Sequence, residues 1–210
     1  MRHFLPRLSL AVLCSIASAQ VIEFESGGLI YQTLTKNGLT IMFAQLPSHI
    51  REYGVIQVAV TNGSSKAMSL KLDDFTWIRA DGSVMRPTSP RKVVQEFLDK
   101  GGRSEVVRLV SAYEQGLYGM KNLRASSGYE QRRLSALAEV NSAKLKAAAA
   151  ASAIIFVPTK LVPGETADGA IFLVTQGKLL GSGKLRVLTN AMLFEFNLTE
   201  EKALAKPEAH

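Results

Sequence analysis

The chain has 210 residues, 47% of them hydrophobic, and a formal net charge of +7. This composition excludes a disordered polar chain, and the length allows one domain, or one domain with an insertion, to bury a sizeable core. A single cysteine excludes a framework of disulfides.

The first 19 residues predict a secretory signal peptide. The basic stretch "MRHFLPR" precedes the apolar run "LSLAVLCSIASA", which ends in an A-x-A cleavage pattern. The run is too short to cross a bilayer. We therefore expect cleavage after Ala19 and an exported, periplasmic or extracellular protein without cysteine. A lipid-modified Cys14 is the alternative, and the bulky Leu13 before it fits that alternative poorly.

Residues 20–88 predict β-strands joined by turns. "LIYQTLTKNGLTIMFAQL" contains two β-rich runs around Asn37-Gly38, a strong hairpin signal. The runs "MSLKL" and "FTWIRA" are shorter strands, and the second ends at Asp81-Gly82. Along "YGVIQVAV", alternation directs Val55, Gln57 and Ala59 to one face and Ile56, Val58 and Val60 to the other.

Residues 89–153 predict helices inserted between the strands. Ser89 and Pro90 are typical of a helix start, and "RKVVQEFLDK" then runs to a glycine pair. A long alanine-rich helix is predicted over residues 129–152. A second helix has its apolar stripe at Val106, Leu109, Val110, Tyr113 and Leu117.

Residues 154–198 return to strands, with a turn at Pro163-Gly164, and residues 199–210 predict a disordered tail. Strands on both sides of a helical block favour an α+β fold that is mainly β. We predict an antiparallel β-sandwich formed by residues 20–88 and 154–198, with a basic helical hairpin inserted between its strands.

Two stretches carry a resemblance to a known class of domain. "VAVTNGSSKAMSLKLDDFTWIRADGSVMRP", joined to "KLVPGETADGAIFL", resembles the immunoglobulin-like sandwiches of bacterial envelope proteins of unknown function, over about half of the mature chain. The helical block departs from the simplest form of that pattern. The resemblance implies an extracytoplasmic accessory or binding module, with no activity attached. The matching positions are Asn62, Asp74, Phe75, Asp81, Gly82, Pro163, Gly164, Glu165, Gly169 and Phe172.

Catalytic histidine chemistry finds little support in the mature chain. His49 is its only histidine outside the tail, and a histidine without cysteines cannot build a structural zinc site. The chain also lacks the G-x-S-x-G pattern of a nucleophile elbow.

The carboxylates give two alternatives to plain turn chemistry. Asp73, Asp74 and Asp81 are calcium-ligand types, but they match turn positions better than a calcium loop. Glu165 and Asp168 are a conceivable glycosidase pair, although few aromatic side chains are present to stack a sugar. We predict no catalytic residue, no metal and no cofactor.

The aromatic residues of the strand-like runs predict the core of the sandwich. We expect Phe75, Trp77, Val58 and Phe172 inside it. An exposed ligand platform around Trp77 is the alternative.

Charge is distributed unevenly along the mature chain. Residues 91–153 hold eleven Lys and Arg against six Asp and Glu, whereas the rest of the mature chain is balanced. The excess predicts either a solvated helix face or a patch that attracts acidic partners. The candidate contact patch is Arg124, Arg132, Arg133, Lys144 and Lys146.

These observations predict a non-catalytic binding or assembly module at the bacterial cell envelope, with the basic helices as its contact element. The expected partner is an envelope protein or an acidic polymer. An anionic membrane surface would also attract the basic helices. Nucleic acid is not expected, because export separates the protein from it and no recognition motif is present. The alternatives are a peripheral membrane protein that uses the alanine-rich helix, and a hydrolase.

Overall fold

The computed structural model of the chain describes residues 20–100, 103–120, 128–138, 140 and 142–199. For Ser48, Arg103, Ala143, Lys144 and Ala147 it describes the backbone alone. The predicted signal peptide, Arg124 of the predicted patch, and residues 200–210 of the predicted tail lie outside the described residues.

The described strands follow one another in two groups, before and after the helices. In chain order they are β1 (Ile22–Ser26), β2 (Leu29–Lys36), β3 (Leu39–Ile50), β4 (Tyr53–Asn62), β5 (Met68–Leu70), β6 (Phe75–Arg79), β7 (Val84–Met85), β8 (Thr159–Leu161), β9 (Thr166–Val174), β10 (Gly183–Thr189) and β11 (Met192–Leu198).

These strands form two main sheets and one short pair. The first sheet has the order β1-β2-β3-β4-β9, the second has the order β11-β10-β6-β7, and β5 pairs with β8. Every ladder between these strands is antiparallel. The mainly β, α+β class predicted from the sequence is therefore confirmed, and strands from both sides of the helical segment pair directly.

The described part of the helical segment contains four helices rather than a hairpin. They are α1 (Pro90–Lys100), α2 (Arg103–Tyr118), α3 (Tyr129–Leu137) and α4 (Ala143–Ile154). The single long helix predicted over residues 129–152 is wrong. Ser142 has an extended backbone, with φ −84° and ψ 140°, and α4 begins after it. Serine favours such a cap position over a helix interior, so it marks a new start.

The first sheet is the middle layer of three. Its two faces bury separate clusters of apolar side chains, one beneath the helices and one against the second sheet. The alternation predicted for β4 is confirmed, with Val55 and Ala59 on the helix side and Ile56, Val58 and Val60 on the other side.

Phe172 lies in a different part of the core from the one predicted. Phe75, Trp77 and Val58 lie between the two sheets as expected, and Trp77 has no exposed surface, so an exposed Trp77 platform is wrong. Phe172 is buried on the helix side. It is opposite Val55 in the β4–β9 ladder, so it points under α1 and meets Tyr53 and Phe97 edge to face at 5.8 and 6.4 Å between ring centroids.

The helical segment leaves and rejoins the sheet at one edge of β9. The Thr88 N–H donates to the Phe172 carbonyl at 2.8 Å, and the Phe156 N–H donates to the Ala170 carbonyl at 2.9 Å. The predicted turns are also present: Asn37 and Gly38 have φ of 48° and 79°, and Gly164 has φ of 85°.

Candidate functional site

A buried carboxylate organises the interface between the helices and the first sheet. The Asp168 side chain on β9 has no exposed surface, and its Oδ1 lies 2.9 Å from Nη2 of Arg132 on α3. The Tyr113 hydroxyl on α2 donates to the other oxygen of Asp168. The Arg132 Nε also donates to the Ala153 carbonyl on α4, at 3.2 Å. One sheet strand and three helices thus converge on Asp168 and Arg132.

Local patterns explain why each group points there. Asp168 is opposite Ala59 in the β4–β9 ladder, so it shares the helix-facing side of the sheet with Gln57 and Phe172. Tyr113 belongs to the apolar stripe predicted for α2, and it is fully buried. The hydroxyl of this stripe residue therefore reaches the carboxylate from above the sheet.

Burial keeps Tyr113 a neutral hydrogen-bond donor. Burial raises the pKa of Tyr113 well above its ordinary value, and the adjacent Asp168 carboxylate raises it further. A carboxylate buried without a partner is strongly unfavourable, whereas a cation at hydrogen-bond distance offsets that cost. Arg132 supplies the cation, and 36% of its side chain remains exposed. The arrangement can therefore fix the positions of α2, α3 and β9 relative to one another.

A second ion pair lies beside the first. The Tyr129 hydroxyl donates to Glu114 Oε1 at 2.9 Å, and the Arg133 Nε lies 3.1 Å from the same oxygen. Burial raises the pKa of Tyr129, and the bond to Glu114 adds to the rise. The rings of Tyr113 and Tyr129 are 5.4 Å apart. Through this ring contact, α2 and α3 connect the two ion pairs.

Two further polar side chains under α2 have hydrogen-bond partners close to Tyr113. The Tyr31 hydroxyl donates to Gln57 Oε1 at 2.8 Å, and Gln57 Nε2 donates to the Tyr113 carbonyl at 3.3 Å. Gly116, one turn further along α2, lies directly over this pair. The helix approaches the sheet closely here because Gly116 has no side chain.

Substituting Gly116→Ala is expected to lower stability by about 1–3 kcal/mol, the usual cost of overpacking a dense core. An added Cβ would lie 2.6 Å from Leu29 Cδ1 and closer still to the Tyr31 hydroxyl. In an exposed helix interior the same change would stabilise by up to about 1 kcal/mol. Urea unfolding gives the sign directly, and a stabilised variant would contradict the close approach.

A groove of about 590 Å³ opens next to the buried carboxylate. One wall is the chain from Ile155 to Leu161, and the other is the turn before β9 with the first residues of that strand. Side chains of both signs reach it, together with apolar ones. Its lining includes Arg132, Val157, Lys160, Glu165, Thr166 and Asp168.

The residues of the predicted contact patch have different roles in the structure. Arg132 and Arg133 are half-buried and engaged in the ion pairs above, so they hold helices together. Lys146 is exposed on α4. Lys144 belongs to α4, but its side chain lies outside the described residues, as does Arg124. The exposed cations that the sequence prediction missed are Arg91, Lys92, Lys100 and Arg108.

Spacing along the helices carries part of this information. Arg91, Lys92 and Arg108 alternate with the buried positions of α1 and α2, so the apolar periodicity already indicates that they point outward. No local pattern shows that Arg132 has a carboxylate partner, because Asp168 is 36 residues further along the chain.

The other candidate groups stay apart. His49 is exposed on β3. Asp74 Oδ2 accepts the Lys71 N–H at 3.0 Å and Asp81 Oδ1 accepts the Ser83 N–H at 2.8 Å, which is turn chemistry. Glu165 Oε2 accepts the Val162 N–H at 2.8 Å. Within the described residues, no three His, Cys, Asp or Glu side chains are grouped closely enough to hold a metal ion.

Comparisons with protein-family models, with curated proteins and with solved structures gave no match. None of the helices in the described part of the chain combines the length and apolar character needed to cross a membrane.

Proposed function

We propose that this protein is a non-catalytic binding or assembly module of the bacterial cell envelope, exported after signal cleavage, with an immunoglobulin-like arrangement of its two sheets. Its contact element is the outer surface of the helical layer. The observation that carries the proposal is a division of charge: acidic side chains of the helices have partners within the fold, while several basic ones do not.

Three acidic side chains of α1 and α2 are engaged by neighbours. Glu105 lies 3.1 Å from the Arg51 guanidinium at the end of β3. Glu114 pairs with Arg133, and Glu96 lies near the Tyr53 hydroxyl, whose pKa is raised by burial and then by this carboxylate. These contacts attach the helices to one another or to the sheet. The two ion pairs also neutralise part of the negative charge that would otherwise balance the helical surface.

Basic side chains of the same layer remain at the surface. They are exposed, and none forms an ion pair with another residue that the structure describes. Exposed charges of one sign on one layer attract partners of the opposite sign and raise the rate of association. The five are Arg91, Lys92, Lys100, Arg108 and Lys146.

An acidic polymer or protein surface fits this layer better than the interior of a lipid bilayer. The alanine-rich helix that suggests membrane contact turns one apolar face into the protein: Ala148, Ala151 and Ile154 are buried in the helix–sheet core, while Leu145 is 49% exposed. The buried face of α4 is therefore not open to lipid tails. Only the charged headgroups of an anionic membrane share the chemistry of the proposed partner.

The double substitution Arg91→Glu and Lys92→Glu is expected to weaken binding to polyglutamate severalfold at low salt and less at high salt. Exposed charges are screened over about 10 Å at ~0.1 M salt, so the difference between variant and parent should shrink as salt rises. Fluorescence anisotropy of labelled polyglutamate measures the effect. Lys66→Glu with Lys71→Glu is the matched control, since both lysines are exposed outside the helical layer and the net charge changes equally.

Equal weakening by both double variants would show that only total charge matters, and would refute the helical layer as the contact element. Salt-independent binding would refute it as well. Co-sedimentation with phosphatidylglycerol vesicles, run in parallel, distinguishes the membrane alternative: tight vesicle binding without polyglutamate binding would favour lipid headgroups.

A further inference from the structure

We propose that the groove beside β9 is a second binding site, which takes an extended, acidic peptide segment of a partner protein as an added β-strand. The proposal does not depend on the basic helical surface. It rests on the hydrogen-bonding pattern along one edge of β9 and on the exposed Lys160 of the groove wall.

Successive residues of an antiparallel strand direct their backbone groups to opposite edges. At the start of β9, Glu165 accepts the Asn62 N–H of β4 at 2.9 Å, which places the odd-numbered residues of β9 toward β4. The even-numbered residues Thr166, Asp168, Ala170 and Phe172 therefore direct their backbone groups away from β4.

Two of these four residues already receive backbone donors on the outer edge. Phe172 accepts the Thr88 N–H, and Ala170 accepts the Phe156 N–H. At Asp168 and Thr166 no outer-edge backbone partner is found among the described residues. Both line the groove. The ladder thus stops where the groove begins, and an edge of unpaired N–H and C=O groups is a template for strand addition.

The gap is short and has defined chemistry. Strands rise about 3.4 Å per residue, so a three-residue stretch of a partner spans the edge from Thr166 to Asp168. Val157, which is 51% exposed, offers an apolar contact within the groove. Lys160 is exposed on the groove wall and forms no ion pair with any described residue. Side chains of an added strand alternate between faces, so a segment that alternates apolar and acidic residues fits both Val157 and Lys160.

The probe is a capped heptapeptide of alternating valine and glutamate, added to the isotope-labelled full chain. We expect the backbone amides of Thr166 and Asp168 to shift on titration, and their exchange with solvent to slow. Methylating the peptide's backbone nitrogens should abolish binding, since it removes the donors of the ladder.

Lys160→Glu should weaken binding of the glutamate peptide at least fivefold. It should improve binding of the same peptide with lysine in place of glutamate. Lys178→Glu, exposed beyond the opposite end of β9 from the groove, is the control and should change neither. Because the Arg91→Glu, Lys92→Glu variant leaves the groove intact, failure of the helical contact and failure of this site are separate results.

Absence of amide shifts with every peptide would overturn the proposal, because the ladder depends on backbone groups that any extended peptide has. Binding that survives nitrogen methylation would also overturn it. If the same amides shift with protein concentration alone, or on truncation after Thr199, the occupant is a second copy or the chain's own tail, and the assignment to a partner peptide is wrong.

Discussion

Replacing residues 90–154 with a short Gly/Ser linker is expected to leave a protein that does not fold cooperatively. A short linker could close the gap. Thr88 and Phe156 bond to Phe172 and Ala170, which are two residues apart on the same edge of β9. The reason for failure is the sheet face that the linker cannot cover. Far-UV circular dichroism and urea unfolding measure the outcome.

The uncovered face would be large and mainly apolar, and its polar groups would have no partners. Tyr31, Val55 and Phe172 are each about 1% exposed beneath the helices, and each would meet water. Asp168 would lose both Arg132 and Tyr113. A truncated protein with a sharp, all-β unfolding transition would contradict this expectation and would make the helices a separable insertion, as the sequence predicts.

A pair of point variants on α2 provides the matched test. Leu109 is fully buried under α2, whereas Val107 is 56% exposed on the same helix. Leu109→Ala should cost about 2–5 kcal/mol, and Val107→Ala should have almost no effect. Trp77, the only tryptophan, lies in the other core, between the two sheets. Its fluorescence should therefore follow the same destabilised transition if both cores unfold as one unit.

Substituting Arg132→Met is expected to cost about 3–5 kcal/mol, because it leaves the buried Asp168 carboxylate without a cation. The neighbouring Arg133→Met is the control. The Arg133 side chain is 41% exposed and its partner Glu114 keeps the Tyr129 hydroxyl as a donor, so a smaller loss is expected than for Arg132. Equilibrium unfolding of the two variants under the same conditions makes the comparison.

A second substitution distinguishes lost charge pairing from lost packing. In the double variant Arg132→Met with Asp168→Asn, no buried charge is left, so part of the stability should return. If Arg132→Met is no worse than Arg133→Met, or if Asp168→Asn makes it worse, the buried ion pair does not hold the layers together. In that case Arg132 would return to the contact patch predicted from the sequence.

The candidate site itself was only partly predictable. The helical location of the basic residues follows from composition, and the outward direction of Arg91 and Lys92 follows from the periodicity of α1. The acid nearest in sequence to Arg132 and Arg133 is Glu130, so nothing in the local sequence indicates Glu114 or Asp168 as their partners. Their partners arrive from α2 and β9, and these contacts exist only after the helices pack on the sheet.

The composition of β4 also indicates how many layers the fold has. Strand β4 is apolar on both faces except for Gln57 and the terminal Thr61 and Asn62, and nearly all of its residues are buried. A strand of that kind requires cover on both sides of its sheet. Such cover is what distinguishes a three-layer fold from a two-sheet sandwich carrying an appendage.

By itself, the sequence determined the features that depend on a few neighbouring residues. Asn37-Gly38 accepts positive φ and makes a hairpin, Ser89-Pro90 begins a helix, and alternation assigns the two faces of β4. Only the tertiary structure decided which layer each face meets, why Phe172 lies under α1, and why Arg132 faces Asp168. Turns and periods are local properties of backbone and side chain, whereas these pairings depend on strand register and on helix packing across long separations in the chain.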